Sequence, residues 1–183
     1  ELKVSLLRAR GVSERKLERL TSALPKAVER VEAALGLALP SKLTLRLLRG
    51  ASEMKQAAHS DHGWAPPEWA NGLAYPREGV IYLHLDAQSE LERTLTHELA
   101  HLALSAEGAP PLPLWLNEGL AVWVSERVSL ERMKRLTEAR LAGQLLPFER
   151  LERRFPSSPT RAQLAYAQSA HFVTYLADER GEV

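Results

Sequence analysis

The chain has no cysteine, which excludes disulfides and thiolate ligands and leaves any metal to histidine and carboxylate. It also has almost no charge excess, with 24 Lys plus Arg against 23 Asp plus Glu. That balance lacks the basic footprint of a nucleic-acid or anionic-membrane binder, so no nucleic-acid partner is expected. No apolar run reaches the length needed to span a bilayer, and the given sequence shows no basic-then-apolar signal segment. Asparagine and methionine are scarce beside abundant Arg, Glu and Leu, a usage that fits heat adaptation and GC-rich coding alike. The expectation is a soluble domain. The first residue is Glu rather than Met, which points to a processed leader or to trimming; with a leader, the domain would be exported or associated with the cell envelope.

The 183 residues are 45% apolar and 26% charged, enough to bury a core around a rigid site. They are expected to form a single domain over 1–183, with a sheet-containing half at 1–86 and a helical half at 87–183. Leu2 to Arg8 predicts a strand. Ser13 is placed to cap a helix carrying Leu17, Leu20, Leu24, Val28, Val31 and Leu35 at steps of three and four, ending at Gly36, with a kink or break near Leu24 imposed by Pro25. Leu43, Leu45 and Leu47 suggest a second strand. His59 to Asn71, rich in Pro, His and Trp, predicts a surface loop. Gly72 to Tyr75 and Val80 to Leu85 flank a turn composition and predict a hairpin.

The helical half follows. Ser89 and Glu92 form a capping-box pair ahead of Leu91, Leu95, Leu99 and Leu102, so this helix should run to about Ser105. Gly108 to Pro113 breaks it, and Leu116, Leu120, Val124 and Val128 mark the next. Ser129 is placed to cap a helix through Leu141. Thr160 with Gln163, just after Pro159, suggests the start of a last helix through Leu164, Phe172, Tyr175 and Leu176. The fold class expected is α+β, a small mixed sheet with an antiparallel edge hairpin followed by a mostly helical half.

Within the helix after Ser89 lies His97-Glu98-Leu99-Ala100-His101. Residues four apart on a helix are turned by about 40°, so both imidazoles leave one face and can meet a single ion, with Glu98 beside them. Chance gives this pattern in a chain of this composition roughly one time in fifty, before any demand for helical context. Both histidines stand two residues from Leu95 and Leu99, away from the apolar stripe. A zinc site with catalytic ability needs a third protein ligand and an open position. Glu118 in Trp115-Leu116-Asn117-Glu118-Gly119-Leu120-Ala121 is the candidate, because it too is offset from its helix's apolar stripe. His59, Asp61 and His62 fit either a second metal site or a plain polar loop, and the loop is the simpler reading. The side on which His84 projects depends on strand register.

The pair HELAH and WLNEGLA resembles the gluzincin branch of the zincin metallopeptidases, and most closely the bacterial MA-like peptidase domains, over roughly Gly72 to Leu176. That resemblance implies a zincin-like fold with the active-site helix under the sheet edge. It implies one zinc ion on His97, His101 and Glu118, and Glu98 as general base toward a water activated by the metal. It implies that the strand before the metal helix is a cleft edge binding peptide or protein substrate by strand addition, here through Ile81, Tyr82 and Leu83. It also implies a later Tyr or His at the oxyanion. Tyr166 is the better match, with His171 a further candidate substrate contact; five residues apart on a helix, the two do not share a face. The stretch between His101 and Glu118 is two residues shorter than in the large aminopeptidases with an NEG-type helix, and no GAMEN-like segment is present, which weakens an exopeptidase reading. The alternative is an inactive gluzincin-like module that binds zinc or a peptide partner without catalysis.

Overall fold

The computed structural model of the chain describes residues 2–67, 70–84, 91–105, 110–126 and 129–180. It has a four-stranded mixed sheet and a mostly helical remainder, as the α+β expectation required. Two compact units divide the chain, Glu1–Ala109 and Pro110–Val183.

The first unit begins with β1 (Lys3–Arg8), α1 (Glu14–Leu35) and β2 (Lys42–Leu48). Ser13 caps α1 by accepting from the Lys16 N–H, and Gly36 closes it in the left-handed conformation at φ 63°. The expected break near Leu24 does not occur: α1 is one helix with Pro25 inside it. Pro25 is exposed while Leu20, Ala27 and Val31 on the other side are buried, so the carbonyl that loses its partner can turn to water while the packed face holds the helix together.

Next come α2 (Ala51–His62), β3 (Gly72–Tyr75), a 3-10 turn (Pro76–Glu78) and β4 (Val80–His84). The surface loop expected from His59 therefore starts only at Gly63, the left-handed cap of α2. Polar composition concealed this helix, whose buried contacts are only Met54 and Ala58. The sheet order is β1-β2-β4-β3, with β1, β2 and β4 parallel and β3 antiparallel to β4.

Strand alternation sorts the faces. Leu48 and Tyr82 join Met54 and Ala58 of α2 in one apolar cluster, with Leu73, Tyr75 and Val80 packed against it. The opposite set, Leu45, Leu47, Ile81, Leu83, Gly72 and Ala74, shares the other face by register. There α3 (Leu91–Leu104) packs against β3 and β4 and is itself packed by α1. Leu95, Leu99 and Leu102 of α3 are buried, as their spacing predicted. Ser89, the expected cap, and Leu85, the expected strand end, lie outside the described residues.

The second unit contains α4 (Leu114–Ser125), α5 (Leu130–Leu141), α6 (Phe148–Leu151) and α7 (Pro159–Arg180). Ser129 caps α5 by accepting from the Arg132 N–H. In α7 the first turn closes from Ala162 N–H to the Ser158 carbonyl. Thr160 thus sits inside that turn rather than at the cap, because Pro159 is already helical and has no N–H to satisfy. Leu146, Leu151, Leu164 and Ala165 form the core with Ala139. Gln168 clips the α5–α6 connection to α7: its Oε1 accepts from Leu146 N–H at 2.8 Å, and its Nε2 donates to the Leu146 carbonyl at 3.0 Å.

Gly119 lets α4 approach α7 closely. A β-carbon there would lie 2.7 Å from the Ser169 carbonyl oxygen and 2.8 Å from Val173 Cγ2, and a backbone atom cannot swing aside as a side chain can. Gly119→Ala is expected to lower unfolding stability by about 1–3 kcal/mol through overpacking. Denaturant unfolding measures this, and an unchanged midpoint would contradict the close approach.

Candidate metal centre

Near the middle of α3, Leu95 and Leu99 bury one face while His97 and His101, both half-buried, emerge from another. Their Nε2 atoms stand 3.1 Å apart, with rings nearly perpendicular at 87°. Two nitrogens bound to one tetrahedral zinc at the usual bond length of about 2.0–2.1 Å would be about 3.3 Å apart, so the pair is already at the separation a shared ion requires. His97, His101 and Glu118 make up one group that could hold a metal ion: each offers a ligand atom, and these atoms lie within 4.8 Å of one another. The donor set of two imidazoles and a carboxylate suits zinc. Among the described residues this is the one group of three or more metal-binding side chains so arranged.

Glu98 follows His97 and is buried, 7% exposed. It lies beneath the start of β3, where a β-carbon on Gly72 would come within 2.7 Å of Glu98 Oε1, 2.8 Å of its Cγ and 2.9 Å of Thr94 Cγ2. Sequence reading missed Gly72. The available signal was a glycine inside a strand pattern, which marks a close approach.

The substrate strand needs correcting. Val80–His84 is not an edge, because β4 is bonded to β2 on one side and β3 on the other. Ile81, Tyr82 and Leu83 are buried and have no free backbone edge to offer. Topology, which local pattern does not encode, puts β3 at the end of the sheet next to α3. In the second unit, α7 carries Tyr166, half-buried with its ring edge-on to Phe155 at 5.0 Å, and His171, which is exposed.

The side chains of Asp61 and His62 are engaged by neighbours other than a shared ion. Asp61 pairs with Arg46 and accepts from the Tyr82 hydroxyl at 2.5 Å. His62 stacks on Tyr75 with ring centroids 3.5 Å apart and faces Glu78 at 3.3 Å. The Tyr82 hydrogen bond, with Arg46 beside it, holds the Asp61 carboxyl below its ordinary range. His84 shares this face through its register, and its Nε2 donates to the Ala70 carbonyl at 3.2 Å.

A family model described as Peptidase MA superfamily matches residues 23–183. No curated protein matches the chain. Among the described residues, no helix is long and apolar enough to cross a membrane.

The buried Tyr75 hydroxyl has no hydrogen-bond partner among the described residues. Burial, with the charges of Tyr82, Glu78 and Asp61, pushes it up to about 12 from 10.0. An unfolded chain would release this proton near 10.0 while the folded protein keeps it. Stability should therefore be intact below pH 10 and fall as pH rises toward 12. Tyr75→Phe should be neutral or stabilising by up to about 1 kcal/mol at neutral pH, and should flatten the alkaline loss. Thermal melts between pH 7 and 11 test both, and a large destabilisation in Tyr75→Phe would show that the hydroxyl has a partner.

Proposed function

The chain belongs to the Peptidase MA superfamily, and from that premise we propose that it is a zinc-dependent metallopeptidase of the gluzincin type that hydrolyses peptide bonds. The observation that carries this reading is the convergence of His97 and His101, Nε2 to Nε2 at 3.1 Å, in one group with a Glu118 carboxylate oxygen. A purely structural site does not call for a carboxylate between the two histidines, and the position of Glu98 supports a chemical role.

His97, His101 and Glu118 would hold the metal. Zinc so held supplies Lewis acidity, lowering the pKa of a water and polarising a carbonyl. Glu98 takes a proton from the attacking water onto its carboxylate and returns it to the leaving amine nitrogen. The Tyr166 hydroxyl donates to the oxygen that gains charge as the carbonyl is attacked, and His171 contacts the substrate. The peptide runs along the outer edge of β3, main chain to main chain, in place of the strand first expected for that role. Strand addition there would align the scissile amide beside the metal helix.

Glu98→Gln should retain zinc and lose about 10²–10⁴-fold in kcat/KM, because the amide keeps the shape but cannot take the proton. His97→Ala, His101→Ala and Glu118→Ala should each lose the metal as well as activity. Chelation should abolish cleavage of a mixed peptide library, and added zinc should restore it. Zinc binding with no cleavage by the parent protein would favour the non-catalytic binding module, whereas full activity in Glu98→Gln would remove Glu98 from the chemistry.

A further inference from the structure

Gly72 takes no left-handed conformation: the positive-φ glycines among the described residues are Gly11, Gly36, Gly63, Gly79 and Gly143. No turn explains it either, since it is the first residue of β3 and pairs with Leu83 of β4. What separates position 72 from its neighbours is space. Alternation turns its missing side chain toward α3, and a β-carbon there would stand 2.7 Å from Glu98 Oε1, 2.8 Å from Glu98 Cγ and 2.9 Å from Thr94 Cγ2, distances that real β-carbons essentially never show.

Neither backbone can easily yield. β3 is tied to β4, which β2 holds in turn, and α3 is anchored by buried Leu95, Leu99 and Leu102. The movable part is the Glu98 side chain itself, which is 7% exposed and has little room to turn. Ala74, next on the same face, already carries a methyl, so the sheet face does not demand glycine throughout.

We propose that Gly72 is a positioning residue for Glu98. By lacking a side chain it lets the carboxylate lie against the edge strand, on the line where a main-chain-bound substrate would place its reacting amide. The inference rests on Glu98 being the general base, but the steric coupling itself does not. A methyl at 72 would press on both Cγ and Oε1 and turn the carboxylate from that line, and displacements of about 1 Å can cost about a hundredfold in rate. Because zinc would be held by other side chains, metal content should not follow the loss. A side chain that merely lined the substrate path would act mainly on KM, whereas a displaced base acts on kcat.

The test is a double-mutant cycle on metal-free and zinc-loaded full-length chain, with Gly72→Ala, Glu98→Ala and the pair. In the metal-free protein, Gly72→Ala should lower the melting temperature by several degrees when Glu98 is present, and by clearly less in Glu98→Ala, where the close contact left to the new methyl is Thr94 Cγ2 at 2.9 Å, the far end of a side chain. In the zinc-loaded protein, Gly72→Ala should keep full zinc stoichiometry and lose about a hundredfold in kcat with KM little changed. Equal melting shifts with and without the Glu98 side chain would overturn the coupling. So would a Gly72→Ala protein with unaltered stability and kcat. If the thermal coupling appears but Glu98→Gln remains active, the contact stands and the assignment of Glu98 as base is what fails. If Gly72→Ala does not fold, Gly72→Ala combined with Glu98→Asp, one methylene shorter, should recover folding; failure to recover also counts against the proposal.

Discussion

Two imidazoles on consecutive turns of a buried helix, their Nε2 atoms 3.1 Å apart, are the contact on which the functional account depends. A neutral pair at that distance can share one proton between two nitrogens, whereas a cation satisfies both lone pairs together. The separation follows from helix geometry once the rings are turned inward. What the fold adds is the burial of Leu95, Leu99 and Leu102 on α3, which prevents the helix from rolling and carrying the histidines away from each other. Apolar packing on one side of α3 thereby fixes the separation of two imidazoles on the other.

The sheet serves the same helix. Its parity sends Tyr82, Leu48 and the Asp61–Arg46 pair toward α2, and leaves the smallest side chains of β3, Gly72 and Ala74, on the face toward α3. A conventional strand residue at 72 would occupy the place where the Glu98 carboxylate lies. In the second unit another glycine has an analogous role: Gly119, next to Glu118, allows α4 to approach the α7 backbone, which fixes the turn of α4 that bears the carboxylate. Each acidic residue assigned a role is thus held near a contact that only glycine permits.

Much of this was legible before any coordinates, for identifiable reasons. The α3 stripe and the His97–His101 spacing are local, periodic signals, and helix geometry translates them directly into shared faces. Ser13, Gly36 and Ser129 announced helix ends through capping chemistry that operates within four residues. What was not legible is non-local or concealed by composition. That β4 is interior and β3 the edge depends on β2 inserting between β1 and β4, which no segment encodes by itself. The α2 helix was hidden because only two of its residues are buried, so its Asp61 and His62 read as part of a polar loop, whereas Arg46, Tyr82 and Tyr75 engage them. Pro25 misled because a proline on the solvent side of a packed helix costs less than one in its core.

The central claim is that His97, His101 and Glu118 hold one zinc ion and leave a position for solvent. X-ray absorption at the zinc edge of the metal-loaded protein tests it most directly. The account predicts one zinc per chain with two imidazole nitrogens and oxygen ligands in the first shell, at about 2.0–2.2 Å, and with one imidazole fewer in His101→Ala. A protein that takes up no zinc, or one whose zinc spectrum lacks imidazole scattering and is unmoved by His101→Ala, would contradict it.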